Sequence, residues 1–178
     1  PRARDEAGPV RAQAEAVGAT ELAAVGAYVE RSSAYRTQHG GLPDPELVQA
    51  AHWMEPGVTT GLLLVVEAAM AWRAGMPEAG PWARRAGDHF TRAHWHDGAA
   101  LATALAFRCG EPVSAAGALD QARASESPGL AMQIRALVGE RVQAPISGHA
   151  YPADRRMEVL TPAECRAGLG DTPLEVGP

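Results

Sequence analysis

"GLLLVVEAAMAW", residues 61–72, is the most hydrophobic run in the chain, and its reading decides the fold. Leu62, Leu63, Val65, Val66, Ala69, Met70 and Trp72 spread around a 3.6-residue turn, so a helix here is apolar on nearly every side. Such a helix needs neighbours around most of its circumference, which places it at the centre of a helical bundle. The aliphatic run from Gly61 to Val66 is too short to cross a bilayer and Glu67 interrupts it, so no membrane association is expected. The helix is expected over about 58–74, with Gly75 and Pro77 closing it.

Working outward, alanine-rich segments of helical period dominate up to about residue 140. Upstream, Asp44-Pro45-Glu46 supplies an N-cap, a proline at the first helical position and a first-turn acid, so a helix should run from there to about Glu55. Residues 9–38 carry Val10, Ala14, Val17, Leu22, Val25, Tyr28 and Val29 on a drifting apolar face, divided near Gly18 and Thr20 and ended by Gly40-Gly41. Downstream, helices are expected over 81–92, 97–110, 113–124 and 128–139. Asp97 is the expected cap of the second, with Leu101, Leu105 and Phe107 pointing inward. Short turns such as Gly110-Glu111-Pro112 and Ser127-Pro128 should pack consecutive helices antiparallel. After residue 142 the helical period is lost. A short strand at Met157–Leu160 and a capping box Thr161-Pro162-Ala163-Glu164, promising one short helix, are what remain. The expected architecture is all-α: an antiparallel helical-hairpin bundle over 1–141 with an irregular C-terminal tail over 142–178.

Composition bounds the function. At 178 residues, 46% apolar and 21% charged, the chain reads as a soluble globular protein with one main core. It holds 37 Ala and no Lys or Asn, a bias that follows GC-rich codon usage. Without lysine there is no Schiff-base attachment and no P-loop. A net charge of −5, with Arg84-Arg85 and Arg155-Arg156 the only adjacent arginine pairs, argues against a nucleic-acid binder. Cys109, in an apolar period, and Cys165, in a polar one, are lone thiols without a CxxC pair. That usage, with no visible signal peptide, points to the reducing cytoplasm.

In residues 96–137 a family resemblance appears. "GAALATALAFRCG" (98–110) is a small-residue helix ending in the Gly110-Glu111 turn; a helix with Ala118-Leu119 and Ala122 follows, and Ser127-Pro128 leads a third. This order resembles the helical half of an uncharacterised bacterial family. Ala115, Leu119 and Ala122 also make it similar to a single tetratricopeptide helix pair, although Ala99 stands where that unit carries an aromatic. The resemblance implies stacked helical hairpins and carries no chemistry.

Chemistry is most concentrated in "DHFTRAHWHDG", residues 88–98, where His89, His94, His96 and Asp97 offer metal-type ligands. On one helix His94 and His96 diverge by about 200°, while His89 and His96 share a face, so no single regular conformation gathers all three rings. The bland alternative puts His89 at a helix C-terminus, His94 and His96 in a junction and Asp97 at a cap. Neither HxHxDH nor HExxH is present, and 178 residues do not make an amidohydrolase barrel. His52-x-x-Glu55 reverses the bundle-metal motif and has no second copy; Glu67 is a further carboxylate on the core helix. Trp53, Trp72, Trp82 and Trp95 read as core anchors near helix ends. No GxSxG elbow and no GxGxxG follows a strand, and the period around Cys109 favours burial over reactivity.

The preferred function is therefore a non-catalytic helical protein-interaction, regulatory or assembly module without a cofactor. So alanine-rich a chain has few bulky side chains to fill a core, hence a protein partner or a homo-oligomer is expected. Whether it is an enzyme stays open at this point. The alternative is a small metal-dependent hydrolase using His89, His94, His96 and Asp97 with a divalent ion such as zinc. A helical DNA-binding regulator lacks its basic helix.

Overall fold

In the computed structural model, residues 2–38, 42–51, 54, 57–140 and 159–167 are described. Every regular element among them is a helix: α1 (Arg2–Ala16), α2 (Thr20–Gln38), α3 (Pro45–Ala50), α4 (Val58–Arg73), α5 (Ala79–Arg92), α6 (His96–Arg108), α7 (Ala116–Ala124), α8 (Pro128–Leu137) and α9 (Pro162–Ala167). The protein is all-α. None of these helices is long and apolar enough to cross a membrane.

α4 is the central helix, with Thr60 to Ala71 all buried. It packs on α2, α5 and α6, and α5 packs on α6; α6, α7 and α8 all touch one another. α1 packs chiefly on α2. Leu63, Leu64, Met70, Phe90, Leu101, Leu105, Ile134 and Leu137 form the bulk of the interior, and alanines let the helices approach closely between them. Phe90 is the wedge at the centre. A Cβ on Gly61 would fall 2.5 Å from its ring and one on Gly98 2.9 Å from it, so α4 and α6 both carry glycine where the ring passes.

Four of the described helices end alike. At Gly18, Gly75, Gly110 and Gly139 the chain enters the left-handed region, and two amide donors reach back to the last turn, as Gly110 N–H does to Phe107 O (3.0 Å) and Glu111 N–H to Ala106 O (3.1 Å). This is the Schellman motif, which satisfies carbonyls a helix would otherwise leave bare.

Several sequence expectations are corrected. The helix from Asp44 stops at Ala50, short of Glu55, although Asp44 caps it as expected, accepting from Leu47 N–H at 3.0 Å. α1 starts at Arg2 and runs through Pro9, which faces solvent, where a carbonyl deprived of its amide donor can take water. α7 begins at Ala116, three residues late. Phe107 is exposed because it lies about 200° around α6 from Leu105, which owns the inward direction. His52, Trp53, Glu55, Gly40-Gly41, Met157 and most of the expected tail, residues 142–158 and 168–178, lie outside the described residues.

Residues 159–167 pack back onto the bundle. Val159, Leu160 and Cys165 are buried. Gln133 of α8 accepts from the Val159 and Leu160 amides at 2.7 and 3.1 Å, while Tyr35 of α2 donates to the Val159 carbonyl. The capping box forms as the sequence promised: Thr161 N–H donates to Glu164 at 2.7 Å and Glu164 N–H to Thr161 Oγ1 at 3.2 Å.

Candidate functional site

The histidine-rich stretch resolves into the end of one helix and the start of the next. Among the described residues, His94 is the one non-glycine with positive φ, at 56°. It occupies the Schellman position that glycine holds in the other four cases: His94 N–H donates to Thr91 O at 3.1 Å and Trp95 N–H to Phe90 O at 2.9 Å. The hydrophobic contact that accompanies the motif is there as well, an edge-to-face pair of Phe90 and Trp95 with centroids 5.1 Å apart.

Each candidate ligand goes its own way. His89 is buried in the last turn of α5, whereas His94 and His96 are exposed. Asp97 is not the cap expected of it: Trp95 takes that position, and Asp97 accepts from Gln121 and Ser125, each at 2.9 Å, tying α6 to α7 and its exit. Among the described residues no group of three or more His, Cys, Asp or Glu side chains is placed to hold a metal ion.

Two charged clamps join the helices. Glu67, fully buried on α4, takes a two-pronged contact from Arg31 Nε and Nη2 (the latter 3.0 Å) and accepts the Asp44 amide at 2.7 Å. One carboxylate therefore holds α2, α4 and the entry to α3 together. Arg73, the last residue of α4, does the same for the C-terminal segment. It grips Glu164 through Nη1 (2.6 Å) and Nη2 (2.9 Å), and donates to Tyr35 Oη (2.6 Å) and the Val159 carbonyl (3.0 Å). Burial pushes the Glu164 carboxyl up, but the hydrogen bonds from Arg73 and the Thr161 amide outweigh it and hold the group below its ordinary value. Burial, with Glu111 nearby, pushes the Cys109 thiol up to about 12, away from the thiolate form.

The chain gives no significant match to any protein-family model, curated protein or solved structure. What stands out is a surface. Of the apolar face expected to bury α1 and α2, Ala14 is buried and Tyr28 packs against the core, but four side chains turn outward: Val17 is 74% exposed, Leu22 49%, Val10 45% and Val25 39%. Buried in their stead are Ala7, Ala23, Ala24 and Ala27.

Helical geometry explains the exchange. Ala23, Gly26 and Glu30 of α2 turn toward α1, where a Cβ on Gly26 would lie 2.9 Å from Arg11 Cβ and Glu30 sits 3.5 Å from the Arg11 guanidinium. Arg31 and Tyr35 turn toward α4, to Glu67 and Arg73. At 100° per residue the remaining arc of α2 belongs to Leu22, Val25 and Val29. On α1, Arg11 leans to the side of Asp44 and α4: its pKa is raised first by the hydrogen bond it donates to Glu15, against burial, with the charges of Glu15, Glu30 and Asp44 adding to it. Val10 and Val17, on the other flank, therefore project to the same side as Leu22 and Val25. Arg11 and Glu30 pair in the seam and Arg31 turns inward, while Val10, Val17, Leu22 and Val25 are presented to solvent. Sequence reasoning had these residues in hand but assigned them to the core; the signal it passed over was that alanines at 7, 23, 24 and 27 also make an inner face for closely spaced helices.

Proposed function

We propose that this protein is a non-catalytic helical interaction or assembly module, and that its contact surface is the outer face of the α1–α2 hairpin. One observation carries this: of the seven large apolar side chains exposed among the described residues, Val10, Val17, Leu22 and Val25 share one face of one hairpin, while Leu42, Val58 and Phe107 are scattered. Single exposed apolar residues are ordinary, but a contiguous patch of them marks a binding surface. The resemblance of residues 96–137 to a tetratricopeptide helix pair fits the same role, since stacked hairpins of that kind serve as interaction scaffolds. The buried acids and arginines fit this too, as Glu67 and Glu164 are spent on holding helices and the C-terminal segment in place.

The test is capture. The full chain, immobilised, should retain a protein partner from its native lysate, a second copy of itself included. The Val17→Glu/Leu22→Glu variant, with unchanged helical circular dichroism, should lose it. Retention that is the same for both, or absent from the wild type, refutes the proposal.

A further inference from the structure

We infer that the groove between α2, α4 and α8 is a peptide-docking site held shut by the chain's own residues 159–167. Its partner is a segment of the same chemistry: two extended apolar residues leading into a capped helical turn that carries an acid. This site is separate from the α1–α2 face and stands or falls without it.

The groove reads main chain. Gln133 of α8 accepts the Val159 and Leu160 amides at 2.7 and 3.1 Å, and the Val159 carbonyl accepts from Tyr35 of α2 and from Arg73 of α4, the latter at 3.0 Å. Side chains from three helices thus meet consecutive peptide groups of one extended stretch. Gln133 and Tyr35 are each 4% exposed, so their polar atoms are costly to bury unless a backbone lies against them. Main-chain hydrogen bonds give a docking groove its affinity, and side-chain pockets give it selection.

The selection is legible. Val159 and Leu160 are buried, so two aliphatic side chains fit, and because both amides donate, neither position of a ligand takes proline. Four residues past Leu160, Glu164 meets Arg73 Nη1 at 2.6 Å and Nη2 at 2.9 Å. The reciprocal cap with Thr161 brings it there, so a ligand needs a hydroxyl residue at the start of the turn and an acid three positions later.

One guanidinium couples the two halves, since Arg73 holds Glu164, the Val159 carbonyl and Tyr35 Oη together. Among the described residues the segment brings Val159, Leu160 and Cys165 to the interior, while Leu63, Phe90, Leu101 and Leu105 belong to helices that it leaves in place. Release of so small a unit is a local opening below the global stability, and it bares the groove to a segment from another chain.

The probe is a synthetic peptide with the sequence of residues 156–168, carrying Cys165→Ser, added to the full chain. Cys165 of the chain is buried, so its labelling by dithiodipyridine, located by mass spectrometry, counts opened molecules. Peptide in the groove traps the open form, so labelling should accelerate as one plus the ratio of peptide concentration to Kd, at least about fivefold at about 1 mM. The Glu164→Gln peptide should need at least about 10-fold more for the same effect, having lost its charge-assisted bonds to Arg73. A full-chain Leu160→Asp variant, whose own segment cannot dock, should keep its helical circular dichroism. It should bind the fluorescently labelled peptide at least about 10-fold more tightly than wild type, because no opening has to precede binding. Wild-type labelling that is indifferent to the peptide, or accelerated equally by a scrambled sequence, overturns the inference however the variant behaves. So does a folded Leu160→Asp variant that binds no more tightly than wild type.

Discussion

Replacing His94 by glycine should stabilise the protein, although it deletes a side chain from the most chemically suggestive stretch of the chain. His94 holds φ 56° in a motif that closes with glycine at four other helix ends. A left-handed backbone costs a residue bearing a Cβ about 1–2 kcal/mol. Glycine removes that cost but brings more freedom to the unfolded chain, worth about 0.5–1 kcal/mol in the opposite direction. The imidazole is exposed, so its loss takes little packing with it. The net expectation for His94→Gly is a gain of about 0.5–1 kcal/mol, a rise in Tm of about 1–4 °C at this chain length. Urea and thermal unfolding followed by circular dichroism would measure it. His94→Ala is the control: it removes the imidazole yet keeps the Cβ and the strain, so it should lie within about 0.5 kcal/mol of wild type. A glycine variant no more stable than the alanine variant would refute the argument, and an alanine variant well below wild type would mean that the imidazole itself stabilises the junction.

Other perturbations probe the core and its clamps. Gly61→Ala drives a methyl to 2.5 Å from the buried Phe90 ring, and overpacking of that kind should cost about 1–3 kcal/mol in urea unfolding; a neutral result would mean that the ring has room to move. Arg31→Ala takes the guanidinium from the fully buried Glu67 carboxylate and leaves it the Asp44 amide, so a loss of about 3–5 kcal/mol is expected, and a loss under about 1 kcal/mol would show that Glu67 is solvated. Docking of residues 159–167 should weaken in acid. Glu164 has a depressed folded pKa, so its stabilisation is complete above the ordinary carboxylate value of about 4.3 and is lost as pH falls through the lower folded value. The buried Cys165 thiol reports it: reaction with dithiodipyridine, which proceeds in acid, should accelerate as pH falls in wild type. In Glu164→Gln it should be fast at all pH values; a flat wild-type profile rules the clamp out as the cause.

Much of the local structure was legible because it is written in short-range chemistry. Asp44-Pro45-Glu46 started a helix, Thr161 and Glu164 formed their reciprocal cap, and Gly18, Gly75 and Gly110 ended helices, each within four or five residues of backbone. The candidate site was less legible. His89, His94, His96 and Asp97 are neighbours in sequence, but one left-handed residue at the α5–α6 junction sends them apart, and it does so at a histidine, where no rule of composition would look for it. Asp97 found Gln121 and Ser125, partners more than twenty residues away.

By itself the sequence determined that this chain makes helices, where most of them stop, and that the run around Leu62–Trp72 must be enclosed, since periodicity and caps act within one or two turns. Only the tertiary structure decided which side of α1 and α2 faces inward. Both an alanine face and a valine–leucine face were on offer, and greater hydrophobicity favoured the latter. Close approach of α1 to α2 at Gly26, and of Arg31 and Tyr35 to α4, requires small residues in the seams, and that constraint comes from the neighbouring helices, not from the segment's own pattern.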